Sequence, residues 1–125
     1  MKPHSSKAKG RRCAQAVKTI LLEAAVDLRK DDIIVTPSGV TGPDLILSPR
    51  AKERFPMATE CKNCEKISIW EALDQAKSHA SGQNIGLEPI LFFKRNRSEL
   101  YAAVDAQFLI ELIAAQTKPQ GTIGF

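Results

Sequence analysis

Asp44, Glu60 and Lys62 are the residues of this chain whose types and spacing suit chemistry on a phosphodiester. Glu60 and Lys62 stand two apart in Met57–Lys62, a run with strand character, so both side chains point to one face and Cys61 points to the other. Asp44 opens the preceding strand directly after Pro43. Pairing of the two strands brings Asp44 close to Glu60 and gathers two carboxylates and an ammonium at one sheet edge. Such a pair, with water and phosphate oxygens, suits Mg²⁺, a hard ion that prefers oxygen ligands and keeps several waters. Mn²⁺ is an expected substitute. The lysine can orient the attacking water, help it lose a proton, or stabilise charge on the phosphate as the P–O bond breaks. The plain alternative is a surface ion pair between Glu60 and Lys62.

The elements that must position these residues follow from periodicity. A chain of 125 residues with 43% hydrophobic and 26% charged residues is expected to form one soluble domain, residues 1–125. Apolar residues from Val17 to Leu28 recur on one helical face, which predicts a first helix over about Lys9–Leu28 behind a basic arm, residues 1–8. Ile33–Val35 reads as a strand ending at Pro37-Ser38-Gly39, and Asp44–Leu47 as a second. SPRAKERFP reads as an exposed excursion holding a short helical turn, ahead of the third strand. A second helix spans about Ile69–Ala80. Pro89–Phe93, short and continuously apolar, predicts a strand covered on both faces. Leu100–Val104 and a helix ending near Gln116 complete the order, with 117–125 as a flexible tail. The expected class is α/β: a central mixed sheet of about five strands flanked by helices, in the order αβββαββα.

Pro43-Asp44 followed by Glu60-Cys61-Lys62 resembles the motif of the PD-(D/E)xK nucleases, and the order of elements resembles their restriction-endonuclease-like core. Within that superfamily the chain is most similar to the small archaeal and phage Holliday junction resolvases. Lys9-Gly10-Arg11-Arg12, the Ser38-Gly39 turn and the Glu60-Cys61-Lys62 strand carry the likeness. The tract Ile69-Trp70-Glu71-Ala72-Leu73-Asp74-Gln75-Ala76 resembles phage members in particular. The resemblance implies Asp44, Glu60 and the backbone carbonyl of Cys61 as metal ligands and Lys62 as the catalytic lysine. It further implies a homodimer that cuts four-way DNA junctions symmetrically, with no small-molecule cofactor. Many resolvases carry a metal-binding Glu on the first helix, where this chain reads Cys13-Ala14-Gln15. Gln15 is the candidate replacement, although a neutral amide binds a cation more weakly than a carboxylate. Glu23 lies two turns further along. The resemblance also nominates Gln75, to orient the lysine or touch phosphate, and Ser38, near the scissile phosphate. A solvent-exposed helix position and an ordinary turn serine are their plain readings.

The net charge of +4 is concentrated at the start, where Lys2, Lys7, Lys9, Arg11 and Arg12 fall within the first twelve residues. Such an arm suits a polyanion, because Lys and Arg on phosphates release counterions, or it is a solubilising tail. Lys94, Arg95 and Arg97 form a second basic group, a DNA contact or a solvated turn. Three cysteines make no disulfide framework, and Cys61–Cys64 has zinc-like spacing with only Cys13, His4 and His79 left to complete four ligands. Trp70 and Phe92 read as core or interface residues. No run reaches a membrane span and no secretory h-region follows the basic start, so a cytoplasmic protein is expected. Two competing functions stand beside junction resolution: a restriction, nicking or repair nuclease of linear or damaged duplex, and a DNA-binding relative without activity.

Overall fold

A computed structural model describes residues 3–81 and 86–117, with side chains from residue 8 onward. The expected tail therefore lies almost wholly outside the described residues. The first helix, α1 (Pro3–Ala24), begins six residues before the predicted start at Lys9, so the basic segment from Pro3 continues the helix instead of forming a separate arm. Proline fits the first position of a helix, where its missing N–H would have had no partner anyway. Cys13, Ala14, Val17 and Leu21 form the buried face of α1, and Ala25 and Leu28 extend that apolar line past the helix end. The Leu28 N–H bonds to the Ala25 carbonyl, a tighter turn that closes the helix before the predicted end.

A single 3₁₀ turn (Lys30–Asp32) leads into β1 (Ile33–Val35), which pairs antiparallel with β2 (Leu45–Leu47). Asp32 ties the two ends of this hairpin together: one carboxylate oxygen accepts from the Arg29 N–H and the other from the Ser48 hydroxyl, at 2.7 Å each. Ser48 in turn caps α2 (Pro49–Arg54), accepting from the Ala51 N–H at 3.1 Å with Pro49 at the first helical position. The expected excursion is thus a capped helix, anchored by the fully buried Ala51 and by Arg50 and Arg54 on Asp27.

β3 (Met57–Asn63) is parallel to β4 (Glu88–Lys94), and β4 is antiparallel to β5 (Tyr101–Ala103). The helix α3 (Ile69–His79) makes the crossover between the parallel strands, with the buried small residues Ala72 and Ala76 letting it sit close to the sheet. α1 packs on β1, β3 and β4, and α3 packs on β3 and β4. β3 is consequently covered along most of its length, from Met57 to Cys61.

Five strands are present, but they form a two-stranded and a three-stranded sheet instead of one continuous ladder. The break falls between β2 and β3, and its cause is local. Asp44 donates its N–H to the Thr59 carbonyl at 2.9 Å, yet the next N–H, on Leu45, bonds the Thr59 side-chain hydroxyl at 3.0 Å. A side chain has taken the position of a backbone acceptor, so regular pairing stops after one residue.

β4 is packed by both α1 and α3, with Leu91 fully buried and its other residues half-buried. The last helix, α4 (Ala106–Gln116), does not return to cover the strand and buries none of its own residues. It is capped by Asp105, whose carboxylate accepts from the Phe108 N–H at 3.0 Å. Among the described residues no helix is long and apolar enough to cross a membrane.

Thr59 is fully buried and its hydroxyl satisfies a buried N–H, so Thr59→Val keeps the shape of the side chain and orphans that donor. The variant is expected to lose about 1–3 kcal/mol in urea unfolding, the penalty of an unpaired buried amide. An unchanged midpoint would show that the Thr59 hydroxyl contributes nothing to joining the sheets.

Candidate active site and its basic rim

Asp44 sits at the break between the sheets with its backbone held from both sides. Its carbonyl accepts from the Thr36 N–H at 3.0 Å, and its N–H donates to Thr59. The Thr36 hydroxyl closes the same loop on the Pro43 carbonyl at 2.6 Å, while Gly39 and Gly42 take the positive φ angles, 86° and 128°, that the loop requires. The Asp44 side chain then reaches across to β3, where one carboxylate oxygen accepts from the Cys61 N–H at 2.6 Å. A short charge-assisted bond of this kind fixes the carboxylate plane.

Glu60 projects from the opposite side of β3 to Cys61. It is only 7% exposed, and each of its oxygens has a different partner. Oε2 is 3.2 Å from Nζ of Lys62, and Oε1 is 3.0 Å from Nε2 of His79 on α3. Burial pushes the Asp44 carboxyl above its ordinary range and the nearby charge of Glu60 pushes it further, against the Cys61 N–H and the neighbouring His79 and Lys62. The two carboxylates therefore sense each other across the break.

One open cleft of about 320 Å³ joins these groups: Asp44, Glu60, Cys61 and Lys62 line it from the strands, Ser38 from the hairpin loop, and Arg11 from α1. Gln15 does not line it and is exposed. Ala14 takes the place facing the carboxylates, because it lies three and four residues beyond Arg11 and Gly10 on one helical face, whereas Gln15 is turned about 100° away. Glu23 is exposed further along the helix and lies outside the cleft too. Gln75 is exposed and shares with Lys62 a smaller hollow beside the cleft.

α3 instead contributes His79 to Glu60, a residue the sequence offered only as a leftover zinc ligand. The signal was available: His79 stands four residues after Gln75, one helical turn along, and a helix crossing back over β3 brings its last turn to that strand.

Arg11 is the basic side chain of α1 that lines the cleft, while Lys94 and Arg95 line a separate hollow. The Lys9 carbonyl accepts from the Asn63 side-chain amide at 3.3 Å, bringing the early turns of α1 to the end of β3, and Asn63 is in register with Lys94. Arg11, Arg12, Arg95 and Arg97 are exposed, and the side chain of Lys7 lies outside those described.

The CxxC pair does not converge. Cys61 faces Cys13 in the core, where its hydrogen bond to that thiol and its burial push its pKa far above the ordinary range, so it stays protonated. Cys64 turns away, with its thiol donating to the Lys66 carbonyl at 3.4 Å. Among the described residues no three His, Cys, Asp or Glu side chains converge as a ready metal cage. What the cleft offers a divalent ion is a carboxylate pair, with an ammonium now neutralising Glu60. That donor set suits a cation that keeps most of its own water.

Asp44→Asn keeps a carbonyl oxygen for the Cys61 N–H but carries no charge. The raised pKa of Asp44 means that the folded state disfavours its ionised form, a penalty absent below the unfolded-state pKa and complete above the folded-state one. The variant is therefore expected to melt higher than the unaltered protein at pH 7, with the advantage vanishing in acid; a lower melting temperature at pH 7 would contradict this balance. Compared with known proteins, the chain matches no family model, no curated protein and no solved structure.

Proposed function

We propose that the protein is a magnesium-dependent endodeoxyribonuclease with a restriction-endonuclease-like core, a PD-(D/E)xK enzyme of the Holliday junction resolvase kind. The observation that carries this reading is the shared cleft. Asp44 from one sheet and Glu60 and Lys62 from the other line a single open depression with Arg11 and Ser38. An ordinary surface ion pair needs neither a second, desolvated carboxylate nor a cleft.

In this reading Asp44 and Glu60 hold the ion, with the Cys61 carbonyl as a third oxygen. When bound, the ion supplies positive charge that polarises the phosphate and eases loss of a proton from water. Lys62 orients the water and stabilises charge on the phosphate oxygens. Hydrolysis joins the water oxygen to phosphorus and breaks one P–O bond, and the leaving sugar oxygen takes up a proton. Ser38 and Arg11 hold the phosphate at the cleft, while Lys7, Lys9 and Arg12 on α1 and Lys94, Arg95 and Arg97 at and beyond the end of β4 hold the backbone on either side. Such contacts position a duplex without reading its sequence, so preference for branched DNA comes from shape.

A symmetric junction calls for two sites, and the occupant proposed for the apolar face of α4 is a second copy of this chain. Leu109, Ile110, Leu112 and Ile113 are each between 45% and 63% exposed, and Trp70 is 79% exposed. Trp70 borders a groove whose far wall is Asp105, the cap of α4, so the two patches adjoin. Their apolar surface is on the order of 600 Å², about the largest that a monomer ordinarily leaves in water and most of the ~800 Å² per partner that a stable dimer buries.

Incubated with a four-way junction, the protein is expected to cut it with Mg²⁺ and not with chelator, and to leave the matched linear duplex intact. Asp44→Asn and Lys62→Ala should each slow cutting by about 100-fold or more. A junction bound but uncut overturns the enzymatic reading, and equal cutting of the duplex overturns the junction preference. Sedimentation gives the second check: the unaltered chain is expected to run as a dimer and Ile110→Glu as a monomer, and a monomeric unaltered chain rules out the α4 interface.

A further inference from the structure

Glu60 is held by two groups of different character. Lys62, at Oε2, is an ammonium 35% exposed in its side chain, a cation standing at the carboxylate a divalent ion would need. His79, at Oε1, approaches from the last turn of α3, on the other side of the carboxylate, with its side chain 20% exposed. Contact at 3.0 Å with a carboxylate oxygen requires the proton on Nε2, because a carboxylate only accepts. An imidazole can make that bond while neutral, so an arriving cation need not expel it as it would an ammonium.

We propose that His79 is a positioning residue for the metal site: its Nε2–H pins Oε1 of Glu60, so that Oε2 stays directed into the cleft when a divalent cation displaces Lys62. The proposal rests on the metal-dependent reading above and assigns a role that the triad alone does not contain. Without His79, the ammonium of Lys62 is the only group fixing Glu60 among the described residues. The carboxylate is then free to turn both oxygens onto it, and a metal must compete with a closed ion pair. With His79 present one oxygen is committed elsewhere, and the exchange of Lys62 for metal leaves the carboxylate where it was. Lys62, once displaced, is free to turn to water and phosphate.

The test measures Mn²⁺ binding by the loss of its free-ion paramagnetic resonance signal, and cleavage as a function of Mg²⁺ concentration. Both are measured for the unaltered chain, His79→Ala and His79→Gln, the last of which keeps an N–H near the position of Nε2. Loss of an outer-shell partner of a ligand typically weakens metal binding about 10- to 100-fold, and His79→Ala is expected to show that loss for Mn²⁺. The Mg²⁺ needed for half-maximal cleavage should rise by the same factor, with the rate at saturating Mg²⁺ nearly unchanged, and His79→Gln should restore both. Mn²⁺ affinity in His79→Ala equal to that of the unaltered chain overturns the proposal. So does a His79→Gln variant as weak as His79→Ala, which would assign the effect to packing. Failure of the unaltered chain to bind Mn²⁺ overturns the metal reading itself, and is seen before any variant is made.

Discussion

The bond from the Cys61 N–H to the Asp44 carboxylate spans the one place where the two sheets are not continuous. Elsewhere in a sheet a strand amide finds a backbone carbonyl on its neighbour. At this point β2 and β3 have separated after a single backbone bond, and the amide that would be orphaned is satisfied by a carboxylate. The same separation makes the cleft. Had β2 continued along β3, the space lined by Ser38, Asp44 and Glu60 would be filled with strand, and neither carboxylate would meet solvent. The structural defect and the candidate site are therefore one feature, and Thr59, whose carbonyl and hydroxyl take two successive amides of the neighbouring segment, sets where it begins.

Electrostatics follow from that geometry. Bringing Asp44 across to Cys61 sets it near Glu60, and burial together with the charge of Glu60 makes ionisation of Asp44 harder. Lys62 and His79 offset this by meeting the two oxygens of Glu60 separately. The carboxylate of Asp44 has the neutral Cys61 amide as its hydrogen-bond partner. In the metal-dependent reading proposed above, the Lys62 ammonium at Glu60 is the group that a divalent ion would displace.

Strand alternation made Glu60, Cys61 and Lys62 legible, because a period of two needs no tertiary information to say that Glu60 and Lys62 share a face and Cys61 does not. The helices were legible for the same kind of reason, with Val17 and Leu21 or Ala72 and Ala76 marking a buried stripe. Features that depend on a second element were not. The helical start at Pro3 has no apolar residue to announce it. The break between the sheets depends on which acceptor the Leu45 amide finds, a choice between a carbonyl and a hydroxyl of the same residue. Gln15 and Ala14 are adjacent in sequence and about 100° apart on the helix, so the residue facing the site is set by how α1 rolls on the sheet. His79 was hidden because its role is decided by the crossing of α3 over β3.

The apolar run Pro89–Phe93 was expected to be covered on both faces, and α1 and α3 do pack on β4, although most of its residues stay half-buried. α4 is the uncovered element: its polar residues are confined to a stripe in which the Gln107 amide donates to Glu111 at 3.0 Å, the rest being Ala, Phe, Leu and Ile up to Gln116. A helix apolar on most of its circumference is the composition of a buried element. Its sequence is thus consistent with burial, and the discrepancy lies in the single chain. Burying α4 and Trp70 against a second copy removes the discrepancy and leaves the cleft open, since none of these residues lines it. In the proposed dimer, two such clefts would be related by the two-fold axis, each lined by Asp44, Glu60, Lys62 and Arg11.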